Sequence, residues 1–161
     1  MGYTTDFEGK FSLDKELTDD QFAYLNQFSG TRRMKRSSVE AQKLSDPIRE
    51  AVGLDVGTEG EFFVGAEGFA GQTEDKSVLD YNNPARTQPG LWCQWVATDK
   101  KTIAWDENEK FYNYVEWLQY IAKNFLTPWG IKMNGSVNWR GEDMGDTGTI
   151  IVKDNVVTCV E

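Results

Sequence analysis

The chain has 161 residues, of which 39% are hydrophobic and 13% aromatic, with six Trp. This length and apolar content exclude a disordered protein and predict a single α+β domain over residues 1–161. The net charge of −9 excludes general binding to DNA or RNA, because phosphate backbones carry the same sign.

The first predicted elements are a strand region and a helix. Apolar residues alternate loosely over residues 3–13, and Gly9 marks either a hairpin turn or a bulge. Thr18 is typical of a helix N-cap because two aspartates follow it. The helix that we expect to end before Gly30 has an apolar stripe of Phe22, Leu25 and Phe28.

The next stretch predicts minor elements. Residues 39–44 favour a short helix, and Pro47 with Gly53 bounds a second one. Residues 61–64 have the composition of a strand. Residues 65–90 show little periodicity, and so long a connection is typical of a binding loop or a mobile lid.

The second half predicts a hairpin, a long helix and further strands. Residues 91–96 and 102–105 form the hairpin, and the helix begins with Asp106 or Asn108 as its cap and ends at Thr127. Residues 131–139, 149–153 and 156–160 read as strands, the last two joined by a turn. The mixture lacks a regular βαβ order, so we expect a mostly antiparallel sheet with two main helices packed on one face.

Several features limit the location and the chemistry. The first residues lack the basic and apolar regions of a signal peptide and no apolar run could span a membrane, so we expect a cytoplasmic protein without a membrane association. Cys93 and Cys159 lie in apolar runs and are expected to be reduced thiols. The chain has no His, which excludes imidazole catalysis and imidazole metal ligation.

Two loops carry candidate ion sites that we consider weak. Residues 65–71 are glycine-rich, but their spacing differs from both phosphate-binding fingerprints, so a turn-rich loop is the simpler interpretation. Glu142, Asp143 and Asp146 cluster in a loop where oxygen ligands could hold a divalent cation, yet a solvated acidic turn is the preferred interpretation. We therefore predict no metal and no cofactor.

A basic cluster and a mixed polar-aromatic segment form the main candidate site. The cluster consists of Arg32, Arg33, Lys35 and Arg36 and stands against an acidic background. We predict that Arg32, Arg33 and Arg36 bind a ligand, because guanidinium groups bind phosphates through two points. Capping of the preceding helix would explain the same cluster. The polar-aromatic segment supplies stacking faces and hydrogen-bonding groups suited to a nucleotide. It could equally be a turn leading into a core strand. The residues of this segment that we predict to bind the ligand are Tyr81, Asn82, Asn83, Arg86, Gln88 and Trp92.

Five stretches of the sequence carry a resemblance. Residues 1–7, 31–36, 80–84, 88–95 and 110–117 are similar to a group of small acidic proteins from tailed phages and bacterial genomes that has no established activity. The resemblance implies an accessory protein, acting in the host cytoplasm, that blunts host defence. It carries over no catalytic residues.

These observations support three functional hypotheses. The first is a non-enzymatic binding protein that sequesters a small nucleotide-type immune signal. This hypothesis is compatible with a homo-oligomer. The second is an acidic inhibitor that covers a basic patch on a host protein. The third, less favoured, is a carboxylate-dependent hydrolase that uses a pair among Asp80, Asp106 and Glu109.

Overall fold

The computed structural model describes residues 2–65 and 74–161. The chain forms two compact units, which we call the sheet unit (Met1–Leu17 with Gln94–Glu161) and the arginine unit (Thr18–Cys93). The expectation that residues 1–161 fold as one domain stays a prediction. In the described part of the chain, no helix is both long enough and apolar enough to cross a membrane.

The sheet unit contains six strands and one main helix. The strands are β1 (Asp6–Leu13), β4 (Trp95–Asp99), β5 (Thr102–Trp105), β6 (Met133–Arg140), β7 (Thr147–Lys153) and β8 (Val156–Val160). They form one antiparallel sheet in the order β4-β5-β1-β6-β7-β8. Helix α4 (Tyr114–Ile121) contacts β8 and β4 and runs into a π-helical turn, Ala122–Leu126.

The arginine unit contains short elements. They are α1 (Asp19–Ser29), β2 (Met34–Arg36), α2 (Ser38–Ala41), α3 (Pro47–Ala51), a 3-10 turn (Thr58–Gly60) and β3 (Val78–Pro84). Strands β2 and β3 pair antiparallel in a two-stranded sheet, which we call the ribbon. The α+β class with a mostly antiparallel sheet is therefore confirmed.

Local sequence signals located several elements correctly. Thr18 caps α1 in a reciprocal capping box with Gln21, at 3.1 Å from Gln21 N to Thr18 Oγ1 and 2.9 Å from Thr18 N to Gln21 Oε1. The β7–β8 turn places Asp154 and Asn155 at φ 46° and 69°, the left-handed pair that a tight hairpin requires. The register of β4 and β5 opposes Trp95 to Trp105, which confirms that hairpin.

The core of the sheet unit is aromatic. Trp95 is 1% exposed, and its ring centroid lies 5.4 Å from those of Phe7 and Phe111 and 5.6 Å from that of Phe11. Its indole Nε1 donates to the carbonyl of Tyr114 at 2.8 Å. Strands β1 and β4 and the start of α4 thus converge on one side chain.

The long helix begins later than the sequence predicts. Residues 106–113 form a loop in which Glu107, Lys110 and Asn113 have φ of 69°, 63° and 57°. Gln94 Nε2 donates to Glu109 O at 3.2 Å and Trp105 Nε1 donates to Asn108 O at 3.1 Å, so these carbonyls are bound outside any helix. The expected caps at 106 or 108 are therefore wrong, and α4 starts after Asn113.

Two strand predictions around the arginine unit are also wrong. Residues 61–64 follow the 3-10 turn without forming a strand, because the carbonyls of Glu61 and Phe63 accept hydrogen bonds from the Arg33 guanidinium. The strand expected at 91–96 begins only at Trp95. Conversely, the connection expected at 65–90 contains β3, while its residues 66–73 lie outside the described part.

Candidate functional site

The ribbon brings the basic cluster and the Tyr81 segment together. Its register places Lys35 opposite Asp80 and Arg36 opposite Val78. Immediately before β2, the guanidinium carbon of Arg32 lies 4.2 Å from the Tyr81 ring centroid, and Arg32 Nε donates to Tyr81 O at 3.0 Å. Both side chains are half-buried. Within residues 2–65 and 74–161, the terminal nitrogens of Arg32 have no hydrogen-bond partner.

The two asparagines follow Tyr81 on exposed backbone. The carboxylate of Asp80 accepts from Asn83 Nδ2 at 2.9 Å and from Asn82 N at 3.0 Å. These hydrogen bonds, that of the Asn83 side chain foremost, hold the pKa of Asp80 below its ordinary value. Asp80 therefore stays ionised and fixes how the asparagine turn presents its amides.

A carboxylate links two further cations of this surface. Glu59 lies 3.4 Å from Lys35 Nζ and 3.6 Å from Arg86 Nη1, and it accepts from Arg86 N at 2.7 Å. The Arg86 backbone hydrogen bond and the nearby Lys35 cation lower the pKa of Glu59. The Arg86 side chain is 75% exposed, so it is held near the ribbon and remains open to solvent.

Arg33 lies inside the arginine unit, away from the exposed surface. It is 2% exposed, and its guanidinium donates to the carbonyls of Thr31 at 3.2 Å, Glu61 at 2.9 Å and Phe63. It also stacks over the Phe28 ring at 4.4 Å. Arg33 thus replaces a strand partner for the segment around residues 61–63.

Arg36 is buried as well, at 1% exposure. Its Nη1 donates to Asp75 Oδ2 at 2.9 Å and to Ser77 Oγ at 2.8 Å, and its guanidinium lies over the Phe63 ring at 4.4 Å. Its Nη2 finds no hydrogen-bond partner among the described residues. Arg36 therefore ties β2 to the start of β3 from within.

The remaining predicted residues divide between interior and surface. Gln88 is buried and donates from Nε2 to Glu61 O at 2.7 Å, so its amide is committed to the same carbonyl as Arg33. Trp92 is half-buried. The surface group of the candidate site is thus Arg32, Tyr81, Asn82, Asn83 and Arg86, with Lys35 added. Lys35 belongs to the basic cluster of the sequence but was not among the predicted ligand-binding residues, because no strand was predicted at residues 34–36 and its alternation with buried neighbours was not visible.

The glycine-rich stretch and the acidic loop are the two candidate ion sites that the sequence offered. The glycine-rich stretch lies almost wholly in residues 66–73, outside the described residues. In the acidic loop, Asp146 accepts from the Tyr3 hydroxyl and Glu142 accepts from Thr4 N, so these carboxylates bind the segment before β1. No group of three potential metal ligands occurs in the part of the chain that the structure describes.

Two of the three carboxylates considered for hydrolysis, those of Asp80 and Asp106, accept hydrogen bonds from asparagines close to them in sequence. Asp106 accepts from Asn108 N at 2.9 Å, and burial raises its pKa. Glu109 is exposed and offers its backbone carbonyl to Gln94. Asp80 belongs to the arginine unit and Asp106 to the sheet unit. Within the described part of the sheet unit, no hydrogen bond joins the carboxylates of Asp106 and Glu109.

The sheet unit has an open concavity of about 600 Å3 on the exposed face of its sheet. The charged residues lining it are Asp6, Glu8, Arg140 and Glu161. Three carboxylates against one guanidinium make this surface unfavourable for phosphates and favourable for cations. It contains none of the predicted ligand-binding residues.

Comparison with protein-family models, with curated proteins and with solved structures finds no match to this chain. The resemblance to small acidic phage proteins therefore brings no further support and no activity. A function can therefore be inferred only from the contacts and charges of this chain itself.

Proposed function

We propose that the protein is a non-enzymatic binding protein that captures a small nucleotide-type ligand on the ribbon surface. The observation that carries the proposal is the Arg32–Tyr81 stack, in which the guanidinium is held in place while its terminal nitrogens have no hydrogen-bond partner among residues 2–65 and 74–161. A sponge for a nucleotide immune signal, as the resemblance implies, needs such a preorganised surface and no catalytic base.

The anionic part of the ligand is assigned to the cations. Arg32 donates in a fixed plane, and Arg86 and Lys35 add positive charge on either side of Glu59. A fixed guanidinium binds a phosphate in two-point fashion and loses little side-chain entropy in doing so. Phosphate is the best match for this group because a guanidinium donates two parallel hydrogen bonds to phosphate oxygens, and the local cations oppose the net charge of −9 on the whole chain.

We assign the base of the ligand to the guanidinium plane of Arg32 and to the side-chain amides of Asn82 and Asn83. One face of Tyr81 is covered by Arg32, so a base stacks on the outer face of the guanidinium plane, a mode common in recognition of unpaired bases. Asn82 and Asn83, oriented by Asp80, supply donors and acceptors for the base edge. Arg33, Arg36 and Gln88 act as the internal frame and have no direct contact with the ligand.

The test is titration calorimetry and thermal shift with linear nucleotides, cyclic nucleotides and ADP-ribose as probes. A ligand at 100 times its Kd raises the stability of the folded state by about 2.7 kcal/mol, which is readily seen as a higher Tm. Arg32→Gln should weaken binding of the responding probe by about tenfold or more, since charge-assisted bonds to phosphate contribute about 1.5–3 kcal/mol.

The matched control is Lys43→Gln, which removes one exposed cation from the turn after α2 in the same unit and should leave the Kd unchanged. Circular dichroism confirms that both variants fold. Equal Kd values for Arg32→Gln and wild type, or no response of the wild type to any probe, would refute the site. Recovery of the intact probe after denaturation separates capture from hydrolysis.

A second candidate function has its own observation in the acid-rimmed concavity of the sheet unit. An inhibitor of a basic host protein would use the carboxylates of Asp6, Glu8 and Glu161, and its complex would weaken steeply with salt. A salt-sensitive complex with a purified macromolecule, lost in Glu8→Gln and kept in Arg32→Gln, would favour this function over ligand capture.

A further inference from the structure

The three cations of the ribbon surface differ in how far their charge is already balanced. Among residues 2–65 and 74–161, the terminal nitrogens of Arg32 have no hydrogen-bond partner, and its guanidinium lies on the Tyr81 ring. Lys35 and Arg86 instead share the carboxylate of Glu59, at 3.4 Å from Lys35 Nζ and 3.6 Å from Arg86 Nη1. One cation is therefore open to a ligand anion, and two are already paired.

Lys35 has a second carboxylate beside it. The ribbon register places Lys35 opposite Asp80. After the hydrogen bond from the Asn83 side chain, the positive charge of Lys35 also contributes to the lowered pKa of Asp80. The charged side chains of this surface are three cations and two carboxylates, with a net charge of +1: Arg32, Lys35, Arg86, Glu59 and Asp80.

Side chain and backbone together hold the Glu59 carboxylate in this position. Its Oε1 accepts from Arg86 N at 2.7 Å, and its side chain is only 16% exposed, against 75% for that of Arg86. The backbone of Glu59 has φ 54° and ψ 33°, a left-handed conformation that residues other than glycine keep only where surrounding contacts maintain it. The carboxylate is therefore a fixed part of the ribbon surface.

We propose that Glu59 makes the ribbon selective for nucleotides with a single phosphate group, an inference that rests on the capture function proposed above. Arg32 binds that phosphate. Any further phosphate would need the remaining cations of the surface, Lys35 and Arg86, and would meet the carboxylate that they hold. Two negative groups at contact distance repel each other, so Glu59 disfavours diphosphates and triphosphates.

The charge of the ligand leads to the same class. A phosphate monoester carries a charge of about −1.5 to −2 at pH 7, which the ribbon surface with its net charge of +1 can accept. Each further phosphate adds negative charge within a chain whose net charge is already −9. Affinity should therefore fall from monophosphate to triphosphate, whereas three unpaired cations would give the opposite order.

The test is titration calorimetry of the full chain with the mono-, di- and triphosphates of the four ribonucleosides in metal-free buffer. We expect the wild-type Kd to rise from the monophosphate to the triphosphate of the same nucleoside. Glu59→Gln removes the charge and keeps a side-chain oxygen for Arg86 N. It should lower the Kd of the triphosphate by about tenfold and that of the monophosphate by at most about threefold, because the repulsion grows with ligand charge.

The matched control is Glu50→Gln, which removes one exposed carboxylate from α3 of the same unit and should leave every Kd unchanged. Circular dichroism checks the fold of both variants, and the wild-type series tests the order of affinities without any variant. A wild type that binds the triphosphate more tightly than the monophosphate, or equal changes of both Kd values in Glu59→Gln, overturns the selectivity and leaves capture standing. A wild type that binds none of these nucleotides overturns both.

Discussion

The two units of the chain build their interiors from different materials. In the sheet unit, Trp95 packs against neighbouring aromatic rings, and its indole donates a hydrogen bond to a backbone carbonyl. The arginine unit is built around Arg33, Arg36 and Arg49, all at most 8% exposed. Of the 11 buried polar residues in the described part of the chain, nine lie in the arginine unit.

This difference shows that buried guanidinium groups can supply hydrogen-bond donors to the backbone where few strands are available to pair with it. Arg33 satisfies three backbone carbonyls, and Arg49 donates to Asp46 and to Leu54 O. Asp46 in turn accepts from Val64 N at 3.2 Å and Gly65 N at 2.8 Å. Buried backbone groups need partners, and here side chains provide what a sheet ladder provides in the other unit.

The largest expected effect is in the aromatic core of the sheet unit. Trp95→Ala should lower the free energy of unfolding by about 3–5 kcal/mol, because it leaves a cavity and removes the donor to the Tyr114 carbonyl. Urea unfolding followed by circular dichroism measures the loss. Trp105→Ala is the control: Trp105 is half-buried, so its loss should be smaller, and an equal loss would contradict a core centred on Trp95.

The next effect tests the arginine unit. Arg33→Met keeps a long side chain in place but removes the guanidinium donor from three buried carbonyls. The Glu61 carbonyl keeps Gln88 Nε2 as a donor, so those of Thr31 and Phe63 are orphaned, each at a cost of about 1–3 kcal/mol if no water replaces the donor. Arg32→Met, at the half-buried neighbour, should cost at most about 1 kcal/mol through its lost stack on Tyr81. A stability of Arg33→Met equal to that of Arg32→Met would show that the unit does not depend on its buried guanidinium.

Hydrogen exchange of the same Arg33→Met variant sharpens the comparison between the units. Loss of protection confined to residues 18–65 and 74–93 would show that the arginine unit opens by itself. Equal loss in β1 and in β4 to β8 would show that both units unfold together, as the single domain predicted from the sequence requires.

The smallest expected effect concerns pH and Glu59. Its pKa is lower than the ordinary 4.5, chiefly through the Arg86 backbone hydrogen bond. A carboxyl group with a lowered pKa in the folded state contributes stability that is present above pH 4.5 and is lost as pH falls through the folded-state value. Glu59→Gln should therefore be less stable than wild type at neutral pH, with a difference that shrinks toward acidic pH. A difference that does not change with pH would contradict this, and Glu40→Gln serves as the surface control.

The signals that predicted the fold correctly are local. The Thr18 cap, the alternation in β4 and β5 and the turn at Asp154 and Asn155 each involve residues close in sequence. The late start of α4 could not be predicted in this way. It depends on Gln94, which binds the carbonyl of Glu109 from 15 residues away and does so only once the chain has folded.

The candidate site shows the same division. From its amino-acid sequence alone the chain is identified as an acidic α+β protein with one basic cluster and one asparagine-tyrosine segment, because composition and short-range pattern carry that information. Only the tertiary structure decided that Arg32 stacks on Tyr81 while Arg33 and Arg36 turn inward. Neighbouring arginines are chemically identical. What separates frame from surface is which buried acceptors lie within reach once β2 and β3 pair, the Glu61 carbonyl for Arg33 and the Ser77 hydroxyl for Arg36.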